Sequence, residues 1–181
     1  MRIVAGAWKG RTLTAPPGVD TRPTADRVRQ ALFDILLHAP WAGRSLIEGA
    51  LVLDVFAGTG ALGLEALSRG AARAVFVEQA RTALTALRAN ISACKAADRC
   101  EVLAVDALSV PIGPRADIVF LDPPYRQDLI PKTLARLRAA GRLAAGGLIV
   151  AETGRDEPAP ADDPLAERVH GAARVTIWRE R

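Results

Sequence analysis

"ALVLDVFAGTGALGLEALSRG", residues 50–70, decides how the rest of the chain is read. From Ala50 to Phe56 it is apolar apart from Asp54, as a strand covered on both faces should be. Glycines follow at 58, 60 and 63, and the stretch after them predicts a helix over Ala61–Arg69, stopped by Gly70. A buried strand that turns through glycines into a helix is the opening unit of an open α/β sheet. Such sheets hold ligands outside the carboxyl ends of their strands.

Downstream the alternation repeats. "AVFVE" (74–78) precedes a helix over Ala80–Ala93. "CEVLAVD" (100–106) and "DIVFLD" (117–122) come next, the second followed by a helix within Gln127–Ala140. After "GLIVAET" (147–153) and the loop "GRDEPAPADDP", the runs Arg168–His170 and Arg174–Trp178 lie too close for a crossover helix. They are expected to pair as an antiparallel hairpin at one edge. Upstream, the first fourteen residues read as a short hairpin around a Gly-containing turn, and "PPGVDTRP" as a loop. Thr24 is the expected cap of a helix whose apolar stripe is Val28, Ala31, Leu32, Ile35 and Leu36.

At 181 residues and 19.2 kDa, half of them hydrophobic, the chain is expected to be one α/β domain with a small appendage. Cys94 and Cys100 have no metal-site spacing and read as reduced thiols. "MRIVAGAWKGR" lacks the apolar core of a signal peptide, and no run approaches membrane-spanning length. A cytoplasmic protein without membrane contact is expected. The net charge is +4 with a pI near 9.7. Residues 1–30 carry Arg2, Lys9, Arg11, Arg22, Arg27 and Arg29 against Asp20 and Asp26, whereas the rest balances at 18 basic and 18 acidic residues. That concentration fits a solvated basic face or a polyanion-binding appendage.

Gly58, Gly60 and Gly63 satisfy G-x-G-x-x-G, so a nicotinamide-dependent dehydrogenase has to be weighed. Asp54, four residues before the first glycine, would repel a pyrophosphate. It suits a ligand with positive charge, such as S-adenosylmethionine with its sulfonium and ammonium. Glu78 lies 20 residues beyond Gly58, where an acid grips ribose hydroxyls. Asp106 ends the third strand and can accept from an adenine amino group. Any one of these acids also reads as a strand-end carboxylate in solvent. Asp54, Glu78, Asp106 and Asp122 ending four successive strands points instead to one acid-lined crevice.

"VFLDPPYRQ", residues 119–127, supplies the chemistry. Pro123 cannot donate to a ladder, so the strand stops with Asp122 at its carboxyl edge. An exocyclic amino group on a nucleobase is a feeble nucleophile because its lone pair is delocalised. The Asp122 carboxylate and the Pro123 carbonyl, stiffened by Pro124, can hold its two N–H bonds and aim the lone pair. Tyr125 can stack on the base. No metal is required. The alternative is a plain structural turn built from the same four residues.

With these motifs in view, the chain resembles the class I S-adenosylmethionine-dependent methyltransferases, and within them the RsmD-type 16S rRNA guanine-N2 methyltransferases. "D-x-F-A-G-T-G-A-L-G-L-E-A-L-S-R-G-A" and "D-P-P-Y" match the cofactor and catalytic motifs, and "R-I-V-A-G-x-W-K-G-R-x-L" and "R-P-T-x-D-R-V-R" are more specific. The resemblance implies a Rossmann-like, mostly parallel seven-stranded sheet with an antiparallel C-terminal edge hairpin. It implies a basic rRNA-binding extension over residues 1–40 and a cofactor-binding domain over 41–181. Cofactor contacts are implied for Asp54, Phe56, Gly58, Thr59, Gly60, Glu78, Asp106 and Ala107. Asp122, Pro123, Pro124 and Tyr125 are implied to hold the target base, and Arg2, Trp8, Lys9, Arg11, Arg22 and Arg27 to meet RNA. The implied target is the guanine numbered 966 of 16S rRNA, within an assembling or assembled small subunit, met by a monomer. Gln30 stands where the family usually carries Glu. The competing readings are an adenine-N6 methyltransferase of DNA or rRNA, a nicotinamide-dependent oxidoreductase and a catalytically silent assembly factor.

Overall fold

The protein is described here by a computed structural model, covering residues 1–16, 23–42 and 44–181. A helix, α1 (Pro23–His38), precedes β1 (Leu51–Val55), α2 (Ala61–Ser68), β2 (Arg73–Val77), α3 (Arg81–Ala93) and β3 (Cys100–Leu103). The chain continues through β4 (Ala116–Leu121), α4 (Leu129–Ala139), β5 (Leu143–Gly154), β6 (Ala166–His170) and β7 (Ala173–Arg179). The strands form one seven-stranded sheet in the order β3-β2-β1-β4-β5-β7-β6. β1 to β5 pair in parallel, while β7 runs antiparallel to both β5 and β6. The expected architecture, edge hairpin included, is the one found. The order reverses between β1 and β4, which opens a crevice beyond their carboxyl ends.

Strand residues alternate between two apolar layers. Val52, Phe76, Phe120 and Val150 face one, and Leu53, Val75, Val119 and Ile149 face the other. This double coverage is why the strands read as continuous apolar runs. Register sets the crevice. Val55 pairs with Leu121 and Leu121 with Ala151, so Phe56, Asp122 and Glu152 form the next rung across β1, β4 and β5.

The first layer also contains Ile3, Leu13, Leu32, Phe33 and Leu36, so the amino-terminal segment shares a core with the sheet. The Phe33 and Phe120 rings lie 5.8 Å apart in a tilted contact. The expected terminal hairpin amounts to one bridge, Arg2 with Thr12, flanked by Ile3 N–H to Arg11 O at 2.9 Å and Leu13 N–H to Met1 O at 3.0 Å. α3 anchors Thr14 through Asn90, whose side-chain amide accepts the Thr14 N–H at 2.8 Å and donates to its carbonyl at 2.9 Å, and α2 supplies further anchors. Glu65 accepts from the amides of Val4 and Ala5 at 2.7 and 3.0 Å, and the Ser68 hydroxyl accepts from that of Trp8 at 2.9 Å.

α1 opens at Pro23, one residue ahead of the expected Thr24 cap; proline suits a first turn, whose N–H groups need no helical partner. Leu32 and Leu36 of its stripe are buried, and so are Arg29 and Phe33. Both cysteines are free thiols, Cys94 buried and Cys100 half-buried. Among the described residues, no helix is long and apolar enough to cross a membrane.

Candidate active site

Asp54 is the penultimate residue of β1 and only 2% exposed, and its Oδ2 accepts the Gly63 N–H at 2.9 Å. Burial raises its pKa to about 8; the Gly63 bond opposes that rise, and the charges of Asp122 and Glu78 add to it. Gly63 is required by contact. A Cβ there would sit 2.4 Å from the Phe76 ring and 3.2 Å from Asp54 Oδ2. At Gly58 the only atom of the described residues within 4 Å of such a Cβ would be the Phe56 oxygen, at 4.0 Å, which leaves room beside the backbone for a ligand. Between Asp54 and Gly58, Phe56 takes φ +64°, a left-handed conformation costly for an aromatic residue and typical of ligand clamps.

Glu78 leaves β2 and closes the loop from the other side. One oxygen accepts the Gly58 N–H at 2.9 Å, and the other those of Gln79 and Ala80 at 2.9 and 2.7 Å. It therefore fixes the glycine loop and still presents lone pairs to the crevice. Asp106 is exposed between Val105 and Ala107, which line the crevice, and one of its oxygens accepts the Leu108 N–H at 2.6 Å. Asp54, Glu78 and Asp122 line the crevice itself.

The crevice has two connected parts. One, of about 480 Å³, lies between Glu78, Gln79, Val105, Ala107 and Leu129. The other, of about 630 Å³, is bounded by Asp54, Gly58, Thr59, Arg29, Glu152 and His170. Both volumes fall in the range of small-molecule sites. Phe56, Asp122 and Tyr125 line both, so they form the partition between them. Asp122 is accessible from the open crevice yet ringed by protein, and its pKa lies well above the ordinary carboxylate range. That ring of protein is the larger cause, and the neighbouring Glu152 charge is the second.

The loop after β4 is held rigidly. Pro123 is buried, and the Tyr125 hydroxyl donates to Glu152 Oε1 at 2.5 Å. Partial burial, then this bond, push the tyrosine pKa up. Arg126 and Asp128 both take positive φ, at +63° and +50°. Glu157 ties the loop to the β5–β6 connection, accepting the Arg126 N–H at 2.7 Å and the Gly154 N–H at 2.5 Å. Sequence reasoning missed Glu152 and Glu157. In "GLIVAET" an acid follows the apolar run Leu148–Ala151, so Glu152 carried a signal like that of Glu78 and Asp122; Glu157 carried none.

The basic segment divides. Arg2, Lys9 and Arg27 are exposed. Arg11 is exposed too, but its guanidinium donates to the Ala93 carbonyl at the end of α3. One face of the Trp8 ring is covered by the Arg99 guanidinium, 5.0 Å from its centroid. Arg22 lies outside the described residues. Arg29 is buried, 2.9 Å from Asp26 and 3.5 Å from Glu65, and contributes nothing to a basic face.

The family described as "Conserved hypothetical protein 95" matches residues 1–177. Over 155 residues the chain is 43% identical to the ribosomal RNA small subunit methyltransferase D of Escherichia coli K12, spanning 84% of this chain and 74% of that one. The corresponding methyltransferase D of Haemophilus influenzae is 37% identical over 163 residues, spanning 87% and 81%. Among solved structures, yhhF of Escherichia coli superposes with a TM-score of 0.82 at 40% identity, covering 99% of this chain and 97% of that one. An RNA methyltransferase of Salinibacter ruber bound to S-adenosyl-L-homocysteine shares the fold, with a TM-score of 0.61 at 20% identity over 89% of this chain and 93% of that one. With a match running from its first residue almost to its last, the chain belongs to the conserved hypothetical protein 95 family, as an RsmD-type member with the Rossmann-like fold of S-adenosylmethionine-dependent methyltransferases.

Proposed function

We propose that the protein transfers a methyl group from S-adenosylmethionine to the exocyclic N2 of a guanine in 16S rRNA, the guanine numbered 966 by family resemblance. The observation that carries this reading is Asp122, an accessible carboxylate on the partition between the two halves of the crevice, with the Pro123 carbonyl beside it. The chain is taken to act as a cytoplasmic monomer on rRNA in an assembling or assembled small subunit.

The residues present fit the cofactor. Glu78 offers carboxylate lone pairs toward a ribose, Val105 and Ala107 an apolar wall for a base, and Gly58 and Thr59 a close approach beside Asp54. When bound, S-adenosylmethionine supplies an electrophilic methyl on a sulfonium, whose C–S bond breaks as the new N–C bond forms, leaving S-adenosylhomocysteine. Asp122 and the Pro123 carbonyl accept the two N–H bonds of the target amino group and turn its lone pair toward the methyl. Such alignment supplies up to roughly 7–11 kcal/mol in favourable cases. The positive charge that develops on nitrogen faces the Asp122 carboxylate. Asp122, with its raised pKa, is suited to receive the amino proton once the methyl has moved.

Mass mapping of 16S rRNA incubated with the enzyme tests the assignment directly. N2-methylguanine is expected; N6-methyladenine would replace it with the adenine reading. For the cofactor, Glu78→Ala is expected to weaken S-adenosylmethionine by about 1.5–3 kcal/mol, the scale of a hydrogen bond to a charged group. Calorimetry measures this, and unchanged affinity removes Glu78 from the site. For the RNA, Arg2, Lys9 and Arg27 replaced together by Gln should lower affinity and flatten the slope of log K against log salt by about 2, given three lost contacts to unpaired RNA. A slope that survives leaves these residues as a solvated face.

A further inference from the structure

Glu152 has no part in the mechanism above, yet it stands next to Asp122 on the neighbouring strand. Because Leu121 pairs with Ala151, the two acids occupy the following rung and the same face of the sheet. Neighbouring strands lie about 4.8 Å apart. Both carboxylates line the larger cavity, together with Tyr125. Glu152 is half-buried, and its Oε1 is taken by the Tyr125 hydroxyl at 2.5 Å. Among the described residues nothing donates to its Oε2, and neither acid forms a salt bridge. Arg29 lines the same cavity but is engaged with Asp26 and the Arg2 carbonyl. Two adjacent carboxylates without a cation call for a ligand edge that presents adjacent donors.

We propose that Glu152 is the specificity-determining residue for the base, its Oε2 accepting the N1–H of the guanine whose 2-amino group is held by Asp122 and Pro123. This rests on the guanine-N2 reading and deepens it. Guanine presents N1–H and the 2-amino group side by side, two donor positions against two carboxylates. Adenine presents its 6-amino group beside N1, a bare lone pair. With that amino group on Asp122, the N1 lone pair would face the Glu152 charge, and repulsion adds to the loss of a hydrogen bond. Sites built to bond a donor reject analogues that lack it far more strongly than apolar pockets reject a missing methylene. The Tyr125 hydroxyl fixes the carboxylate so that only one oxygen turns to the base.

The test uses full-length protein and rRNA carrying either guanine or 2-aminopurine at the mapped target. 2-Aminopurine keeps the 2-amino group but has a lone pair at N1. Single-turnover methylation by the wild type should favour guanine strongly. In Glu152→Gln the preference should narrow by about tenfold or more, because an amide can donate to the N1 lone pair and no longer repels it. Glu152→Ala should narrow it too, by slowing guanine and relieving the repulsion of 2-aminopurine, and covers the case in which the first variant folds poorly. Tyr125→Phe, which removes the hydroxyl and keeps the charge, should slow both bases and preserve the preference. If both Glu152 variants slow guanine and 2-aminopurine equally, Glu152 merely braces Tyr125 and the proposal is overturned. Failure of the wild type to form N2-methylguanine would instead overturn the reading beneath it.

Discussion

Asp122→Ala is expected to slow the methyl-transfer step about a hundredfold or more, the scale seen when one pre-positioned electrostatic partner is deleted. Affinity for cofactor and for RNA should stay near normal. The glycine loop is held by Glu78 and Asp54 rather than by Asp122, and the exposed cations of the amino-terminal segment lie on other elements. Single-turnover methylation with labelled cofactor isolates the step, with calorimetry as the control. Asp122→Asn should fall between wild type and alanine: its amide oxygen still accepts one N–H, but no charge faces the nitrogen. Normal turnover in the alanine variant would reduce "DPPY" to a turn.

The pH profile offers a second view of the same residue. Asp122 must be ionised to accept, and the protein ringing it, with the Glu152 charge, raises its pKa. A raised pKa keeps the carboxyl protonated to higher pH, so the rate should fall on the acid side at a pH well above the ordinary carboxylate range near 4. Glu152→Gln removes one of the two raising causes, so the acid limb of the rate profile should move to lower pH. Asp122→Asn should lose that limb altogether. A limb that persists in the asparagine variant belongs to another group.

How much of this was legible follows from where each residue's partners lie. The parallel strands announce themselves because both of their faces are buried, and the edge hairpin because no helix fits between Arg168–His170 and Arg174–Trp178. Asp54, Glu78 and Asp122 are readable for a local reason: each is an acid at or near the carboxyl end of an apolar run, and a strand end beside a switch point faces a ligand. Glu152 obeys the same rule, and attention to it would have completed the acid pair. Asp106 obeys the rule in sequence, and in space its carboxylate also caps the short 3-10 helix that follows at once. The terminal segment was the least readable. Its partners Glu65 and Ser68 lie about sixty residues away, and Arg11 reaches the Ala93 carbonyl, about eighty residues on. No local pattern encodes a contact of that range.

Glu65 is therefore where the largest change in stability is expected. It sits on α2, fully buried, inside the cofactor-loop helix, and was read from sequence only as part of that helix. One of its oxygens meets the Ala5 N–H at 3.0 Å and Arg69 Nε at 2.8 Å; the other meets the Val4 N–H at 2.7 Å and Arg29 Nε at 3.5 Å. Arg69 in turn lies over the Phe33 ring at 4.8 Å. Glu65→Ala would leave two nearly buried guanidinium groups and two backbone amides without their shared acceptor. Breaking a buried charge cluster from one side costs about 3–5 kcal/mol. For a chain of this length each kcal/mol moves the midpoint by about 2–4 °C, so thermal melting should drop by roughly 6–20 °C. The loss should be selective as well. With Val4 and Ala5 released, protease should trim the first residues of the variant at a temperature where the sheet is still folded. RNA affinity should fall with them, since Arg2 and Lys9 would no longer be held. Glu65→Gln keeps an oxygen for one amide but turns an NH2 group toward donors, so it should lie between wild type and alanine. Salt gives the control. A buried cluster is screened far less than surface pairs, so high salt should leave the wild-type melting temperature nearly unchanged while weakening RNA binding. A Glu65→Ala protein that melts like the wild type would mean that the apolar contacts of Ile3 and Leu13, with the Ser68 and Asn90 hydrogen bonds, suffice to hold the segment.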